Sequence, residues 1–295
     1  MSYMRFKGVM PALITPLKAD ESLNRPVVGQ LINDLLAKGA QGFYVGGPTG
    51  EGFALRREVR EELAEASVEA VKGRAPVIVH VASADFSEAV ALAKHAEAVG
   101  AQGISAIPPL FFKYDTNEVY QYYKALANAV HIPLMIYYNP AAGFAINADI
   151  AARLFEIDNL TSIKWTSPDY FGMIRLKDLT HGEMNIINGP DEMLLMGLSA
   201  GADGGIGTTY NYQMETIRRV YDCFCNGDME GARAAQTEAD RVIAQLFKYT
   251  TIAVSKAIME LQGYDVGYAA FPMKRYTDAD KQQIAADFRA AGLKI

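Results

Sequence analysis

The chain has 295 residues, half of them hydrophobic, and a formal net charge of −6. That length suits one large domain or two of ordinary size. An acidic chain without a basic cluster favours neither nucleic acid nor an anionic membrane as a partner. The longest apolar runs, such as residues 132–138, are far shorter than the roughly 20 residues of a membrane-spanning helix. Since the N-terminus MSYMRFKG lacks the apolar core of a signal peptide, we expect a cytoplasmic protein.

Short apolar, β-branched segments alternate with segments of helical periodicity along most of the chain. Strands are predicted at 8–15, 42–45, 77–82, 103–107, 134–138, 161–165, 185–188 and 204–206. Helices are predicted between them, for example at 27–38, 56–71, 87–99 and 117–129. Eight strand–helix units predict a parallel sheet, and eight strands can close a barrel. An open doubly wound sheet is the alternative, but the ITPL stretch after the first strand is no glycine-rich phosphate loop.

Beyond residue 226 the pattern changes, and no further strand is predicted. Segments 228–247, 250–261 and 277–291 have helical periodicity, with glycine and proline between them. We therefore expect an α/β protein, a (β/α)8 TIM barrel over residues 1–226. A three-helix extension over residues 227–295 is expected to pack on the barrel, so that the chain forms one structural unit.

Lys164 lies in the predicted sixth strand, within NLTSIKWTS. Because side chains alternate along a strand, Ser162, Lys164 and Thr166 share one face, and Ile163 and Trp165 share the other. A buried ammonium costs several kcal/mol unless it is paired or neutralised. Lys164 is therefore either a strand-end residue that reaches solvent or a carboxylate, or a Schiff-base lysine. Active sites of (β/α)8 barrels lie at the carboxyl ends of the strands, and this position favours the second interpretation.

Cysteine and histidine give no sign of a metal site. Cys223 and Cys225 lie two apart on a predicted helix and are interpreted as reduced structural thiols. The four histidines show no metal-binding spacing, so no metal is predicted. His80, inside the strand segment PVIVHVA, is interpreted as a structural residue or as a support for the site.

Five motifs occur at or beside predicted strand ends: GGPTGE at 46–51, YNP at 138–140, IKWTS at 163–167, NGPDE at 188–192 and GADGGIGTTYN at 201–211. Together they resemble the pyruvate-dependent class I aldolase and lyase superfamily that includes N-acetylneuraminate lyase and dihydrodipicolinate synthase. The resemblance covers nearly the whole chain, and its second half is most similar to N-acetylneuraminate lyase.

That resemblance implies a carbon–carbon lyase that cleaves a sugar-derived 2-keto acid, most simply N-acetylneuraminate, to pyruvate and an aldehyde. It implies no cofactor beyond a covalent imine with pyruvate at Lys164. The implied partners are a small-molecule keto acid and an aldehyde, and the implied assembly is a homotetramer built as a pair of dimers.

It also assigns roles to individual residues. Lys164 forms the imine, and Tyr138 moves a proton to or from the substrate hydroxyl, whereas Tyr137 is interpreted as a packing residue on the opposite face. The other candidates bind substrate: Gly47, Pro48, Thr49, Thr166, Gly189, Asp191, Glu192, Ile206 and Thr208. Gly47, Pro48 and Thr49 correspond to the carboxylate pocket, and Asp191 and Glu192 to an acidic pair that binds polyol hydroxyls. The ordinary alternatives are a turn cap for Thr49 and a helix N-terminus for the acidic pair.

Three departures from the family pattern bear on the reaction. The arginine that dihydrodipicolinate synthase carries shortly after its YN motif is missing from YNPAAG, which disfavours that activity. Pro48 stands where the relatives have a serine or threonine. Phe111 and Phe112 stand where relatives have a tyrosine contributed by a neighbouring subunit, although Tyr114 is close by. The paired loss of relay hydroxyls keeps two alternatives open: an aldolase or hydratase-aldolase for another 2-keto-3-deoxy acid, and a keto-acid-binding protein without turnover.

Overall fold

A computed structural model describes residues 3–295, and its centre is an eight-stranded parallel sheet. The strands are β1 Gly8–Pro11, β2 Phe43–Val45, β3 Val77–His80, β4 Gly103–Ala106, β5 Leu134–Tyr138, β6 Leu160–Trp165, β7 Asn185–Asn188 and β8 Gly204–Gly207. From β2 to β8 each strand pairs with the next, and β8 pairs with β1. A parallel bridge between Ala12 and Tyr44 joins β1 to β2 and completes the ring. The predicted (β/α)8 TIM barrel is confirmed.

Helices between the strands cover the outside of the barrel. They are α1 Arg25–Ala37, α2 Arg57–Val71, α3 Phe86–Ala98, α4 Thr116–Ala127, α5 Ala148–Leu154, α6 Tyr170–Leu179, α7 Leu194–Ser199 and α8 Tyr210–Cys225. Short 3-10 helices at Pro140–Ala142 and Asp191–Met193 follow β5 and β7. Local sequence explains several helix starts, as at α4, where Asp115 and Glu118 form a capping box. The predicted strand 8–15 is shorter in the structure, because the chain beyond Pro11 meets β2 only at the Ala12 bridge.

Strand alternation divides the buried side chains into two cores. A cluster of apolar side chains in the barrel interior consists of Phe6, Met10, Ala12, Tyr44, Ile78, Met135, Ile187 and Ile206. A larger core lies between the barrel and its helices. A side chain on a strand therefore points either into the barrel or towards the helices, and register decides which.

Three further helices follow the barrel: α9 Met229–Leu246, α10 Thr251–Leu261 and α11 Asp278–Ala290. The segment between α10 and α11 is hydrogen-bonded to the loop after β1, where the Leu17 amide donates to the Val266 carbonyl over 3.0 Å. Within residues 3–295, no helix is long and apolar enough to cross a membrane.

Candidate active site

Lys164 points into the barrel from the carboxyl end of β6. It is in register with Tyr137 of β5 and with Ile187 of β7, and Ile187 belongs to the interior core. The Lys164 Nζ atom lies 4.4 Å from the ring centroid of Tyr137 and 5.1 Å from that of Tyr44. Only 5% of the residue is exposed.

No carboxylate forms an ion pair with this amine within the described residues. The lysines that form ion pairs there are Lys177, Lys248, Lys256 and Lys281. Lys164 is instead held against two aromatic faces. The neutral form of such an amine is the nucleophile in imine formation.

The two tyrosines that end β5 lie on opposite faces from those expected. Tyr137 is two residues after Met135, a member of the interior core, and shares its face with Lys164. Tyr138 points towards the helices, and its ring packs 4.8 Å from that of Trp165. Burial raises the pKa of Tyr138, and the Ser167 hydroxyl acts in the opposite direction. The prediction that Tyr137 lies opposite Lys164 is therefore wrong, and the tyrosine that faces the lysine is Tyr137.

His80, at the end of β3, continues the aromatic wall beside Tyr137. Its ring centroid lies 6.2 Å from those of Tyr44 and Tyr137 and 5.4 Å from that of Phe53. Burial holds the pKa of His80 well below its ordinary value, and the charges of Arg60 and Lys164 act in the same direction. Neither imidazole nitrogen has a hydrogen-bond partner among the described residues. His80 is therefore a neutral ring in a mostly aromatic wall.

The GGPTGE segment forms a tight turn above this wall. The Gly52 amide donates to the Gly47 carbonyl over 3.1 Å, and a Cβ at Gly52 would come within 1.9 Å of the Gly46 carbonyl oxygen. Pro48 supplies neither an amide N–H nor a hydroxyl. The Thr49 hydroxyl lies 2.7 Å from the hydroxyl of Thr208, just after β8. Two of the predicted substrate-binding residues are thus brought together, and the turn is joined to the end of β8.

Thr166 and Gly189 meet where β6 and β7 end. A Cβ at Gly189 would lie 2.0 Å from the Thr166 hydroxyl oxygen, so this close approach requires glycine. The buried Thr166 hydroxyl has no hydrogen-bond partner in the part of the chain that the structure describes. Ile206, also predicted to bind substrate, is fully buried in the interior core.

Asp191 and Glu192 begin the short 3-10 helix after β7. One Asp191 carboxylate oxygen accepts the Thr209 amide over 2.7 Å, so this side chain satisfies a donor where α8 begins. Burial raises the pKa of Asp191 to about 6, and the Thr209 hydrogen bond opposes the shift. Glu192 is only half-buried. The acidic pair thus consists of one carboxylate engaged in the fold and one that is more accessible.

The aromatic residues after β4 lie on the surface. Phe111 is 95% exposed and Phe112 is 70% exposed, with their ring centroids 5.2 Å apart. Tyr114 packs against Phe112 at 6.3 Å. Within this chain these residues add no side chain to the barrel interior.

Comparison with known proteins agrees with this geometry. Residues 5–291 match the model of the dihydrodipicolinate synthetase family. The chain belongs to that family. N-acetylneuraminate lyase of Rhizobium meliloti is 34% identical over 277 residues, which cover 94% of this chain and 92% of that protein.

Two solved structures of the family extend the comparison. The N-acetylneuraminate lyase of Proteus mirabilis superposes with a TM-score of 0.93 at 30% identity, covering 99% of this chain and 100% of its own. A dihydrodipicolinic acid synthase family protein from E. coli K12, solved in complex with pyruvate, superposes with a TM-score of 0.93 at 25% identity, covering 98% and 99% of the two chains. The predictions of this superfamily and of a pyruvate-dependent lyase or aldolase are confirmed.

Several residues at the site were not found from the sequence. Tyr44 lies in an entirely apolar strand, so alternation gave no sign that it faces Lys164. The buried ion pair between Glu51 and Lys256 was also missed, because the two residues lie in separate parts of the chain. The signal available for Glu51 was its place at the end of GGPTGE, where an acid follows a strand-end turn.

Proposed function

We propose that this protein is a class I aldolase that cleaves a sugar-derived 2-keto acid to pyruvate and an aldehyde sugar, with N-acetylneuraminate as the first candidate substrate. The observation that carries the proposal is the environment of Lys164. Its amine is buried at a strand end of a barrel, faces Tyr137 and Tyr44, and has no carboxylate partner among the described residues. A lysine needed only for stability would be expected to have one.

The reaction follows from the position of that amine. Lys164 Nζ attacks the keto carbon, water leaves, and a protonated imine forms. A base removes the proton of the substrate hydroxyl on the carbon to be released, the carbon–carbon bond breaks, and its electron pair moves to the imine to give an enamine. The aldehyde departs. Protonation of the enamine carbon and hydrolysis then release pyruvate and restore the lysine.

We assign the proton transfer to Tyr137 in place of Tyr138. Tyr137 lies on the face of Lys164, whereas Tyr138 packs on Trp165 towards the helices. Once Tyr137 has given its phenolic proton to water, its phenolate is in position to receive the hydroxyl proton and to return it to the enamine carbon. A general acid or base of this kind contributes roughly 10²–10⁴-fold to a rate.

The remaining candidates are proposed to bind the two ends of the substrate. Thr49, with its amide and hydroxyl, holds the carboxylate of the keto acid, and Thr208 orients the Thr49 hydroxyl. Glu192 and Asp191 accept hydrogen bonds from sugar hydroxyls, for which carboxylates are suited. Gly47, Pro48, Thr166, Gly189 and Ile206 are assigned to the walls between these ends.

Pro48 favours a second candidate reaction, the cleavage or dehydration of another 2-keto-3-deoxy acid. The residue offers no hydroxyl and no amide, so a proton relay that needs a hydroxyl there cannot operate in this chain. The exposed Phe111 and Phe112 provide no hydroxyl either. A substrate whose aldehyde half needs no such relay would suit these residues.

A coupled assay separates these possibilities. Pyruvate release from N-acetylneuraminate and from 2-keto-3-deoxygluconate is followed in parallel with lactate dehydrogenase. Turnover of N-acetylneuraminate near the usual enzyme median of about 10 s⁻¹ would support the first reaction. Release from 2-keto-3-deoxygluconate alone would support the second. Release from neither, together with borohydride trapping of pyruvate, would indicate a binding protein or another aldehyde.

We further propose that the protein is a cytoplasmic homotetramer that uses no metal or organic cofactor. The exposed pair Phe111 and Phe112, with Tyr114 behind them, supports burial against a second copy, because large exposed aromatics are unfavourable on a monomer. Light scattering of the purified protein tests the assembly, and activity after treatment with a chelator tests the independence from metal.

A further inference from the structure

Glu51 and Lys256 form a buried ion pair between the GGPTGE turn and α10. Lys256 Nζ lies 2.7 Å from a Glu51 carboxylate oxygen, and their side chains are 2% and 0% exposed. The other Glu51 oxygen accepts the Ala270 amide over 2.6 Å. Lys256 Nζ also donates to the Tyr268 carbonyl over 2.8 Å. Both charged groups are therefore fixed to the segment that connects α10 with α11.

Stability alone does not account for such a pair. Removing two charges from water is costly, and well-packed apolar residues in their place are often as stable or more stable. Burial lowers the pKa of Lys256, and the Glu51 charge opposes that shift. Glu51 also has a left-handed backbone, with φ of +61°, which is unfavourable for a residue with a Cβ. The chain thus maintains a charged pair and a strained residue at one point of the turn.

The ion pair lies beside Thr49 in the chain. Glu51 follows Thr49 by two residues, and its amide donates to the Pro48 carbonyl over 3.0 Å, so the side chain anchors the turn that carries Thr49. Pro48 cannot donate to a carboxylate. In the proposed function, binding of the keto-acid carboxylate therefore depends on the placement of Thr49 and its amide.

We propose that Glu51 and Lys256 are positioning residues for the carboxylate of the keto acid. Their ion pair fixes the turn against the C-terminal segment, so that Thr49 faces the ligand. The inference rests on the proposed function, in which Thr49 holds that carboxylate and Lys164 forms the imine. It makes the C-terminal extension a part of substrate binding.

The test compares two carbonyl compounds, one with a carboxylate and one without. Borohydride trapping on Lys164 is measured against concentration for pyruvate and for acetone, which can form the imine but has no carboxylate. In Glu51→Gln and Lys256→Met, the half-saturating concentration of pyruvate should rise about tenfold or more, as when a charge-assisted hydrogen bond is misaligned. That of acetone should stay within about twofold, since the imine chemistry is unchanged. Glu61→Gln, which breaks the exposed pair with Arg57, is the control and should change neither.

The double variant Glu51→Leu/Lys256→Met leaves no unpaired buried charge. It replaces the single variants in the trapping experiment if either of them does not fold. It should show the same selective loss of pyruvate binding. An equal rise for both compounds, or no rise for pyruvate in a folded variant, would overturn the inference. Loss of folding in the double variant as well would show a purely structural pair and would also overturn it. Failure of the unmodified protein to trap pyruvate would instead contradict the proposed function.

Discussion

Replacing each of the two tyrosines that end β5 by phenylalanine separates their roles. Tyr137→Phe keeps the ring whose centroid lies 4.4 Å from Lys164 Nζ and removes only the hydroxyl. Tyr138→Phe keeps the ring that packs 4.8 Å from Trp165 and also removes only a hydroxyl. Each variant therefore loses one phenolic hydroxyl, on the Lys164 face of β5 in the first and on the helix face in the second.

The expected loss of activity differs widely between the two variants. Loss of a general acid or base should lower kcat of Tyr137→Phe by roughly 10²–10⁴-fold, or about 3–5 kcal/mol of barrier. The attraction between the amine and the ring, about 0.5–2 kcal/mol, is retained and does not contribute. Tyr138→Phe loses a hydroxyl beside Ser167, so we expect a stability change of about 1 kcal/mol and a kcat within roughly a factor of three.

Steady-state pyruvate release gives kcat and KM for both variants, and borohydride trapping shows whether the imine still forms. Tyr137→Phe should trap pyruvate normally while turning over slowly, because the hydroxyl acts after the imine has formed. A large loss of kcat in Tyr138→Phe with near-normal turnover in Tyr137→Phe would refute the assignment. Thermal unfolding of both variants excludes a difference in folding as the cause.

Three further predictions follow from the site. Lys164→Ala should abolish borohydride trapping of pyruvate while the circular dichroism spectrum stays unchanged. Burial raises the pKa of Asp191 from 3.8 to about 6. The contribution of Asp191 to the free energy of unfolding is therefore greatest below pH 4 and declines as the pH rises through 6, by at most about 3 kcal/mol. Asp191→Asn should remove that decline, as measured by denaturant titrations at several pH values. Gly189→Ala should destabilise the fold by about 1–3 kcal/mol and lower activity, because the added Cβ would meet the Thr166 hydroxyl. Gly29→Ala is the contrasting variant: the space around Gly29 is open, so the substitution should stabilise α1 by up to about 1 kcal/mol.

The barrel could be predicted from the sequence because short strand segments, most of them apolar, alternate with clear helical segments. The β5 and β7 bounds match the prediction, and the face of Lys164 follows from β6, where polar Ser162 and Lys164 alternate with apolar Ile163 and Trp165. In such a strand a shift of one residue would reverse every side chain, so the pattern fixes the orientation.

The orientation of β5 could not be predicted in the same way. Its sequence LMIYY is apolar or aromatic at every position and buried along its whole length, so it has no alternation to follow. Only the pairing with β6 shows that Tyr137 faces the interior. The Glu51–Lys256 pair is a similar case, since contact between residues so distant in sequence is fixed by the packing of α10 on the barrel and not by a local pattern.

The hydrogen bond between Thr49 and Thr208 gives the turn a hydroxyl partner that Pro48 cannot supply. Pro48, the residue before Thr49, has no hydroxyl to offer to it. Here the Thr208 hydroxyl, supplied from the end of β8, lies 2.7 Å from that of Thr49. The Thr49 hydroxyl is thus joined to the end of β8, where the next residue, Thr209, donates its amide to Asp191. In the proposed function Thr208 orients the hydroxyl that holds the keto-acid carboxylate, so a substrate that displaces Thr208 should lose turnover as well as affinity.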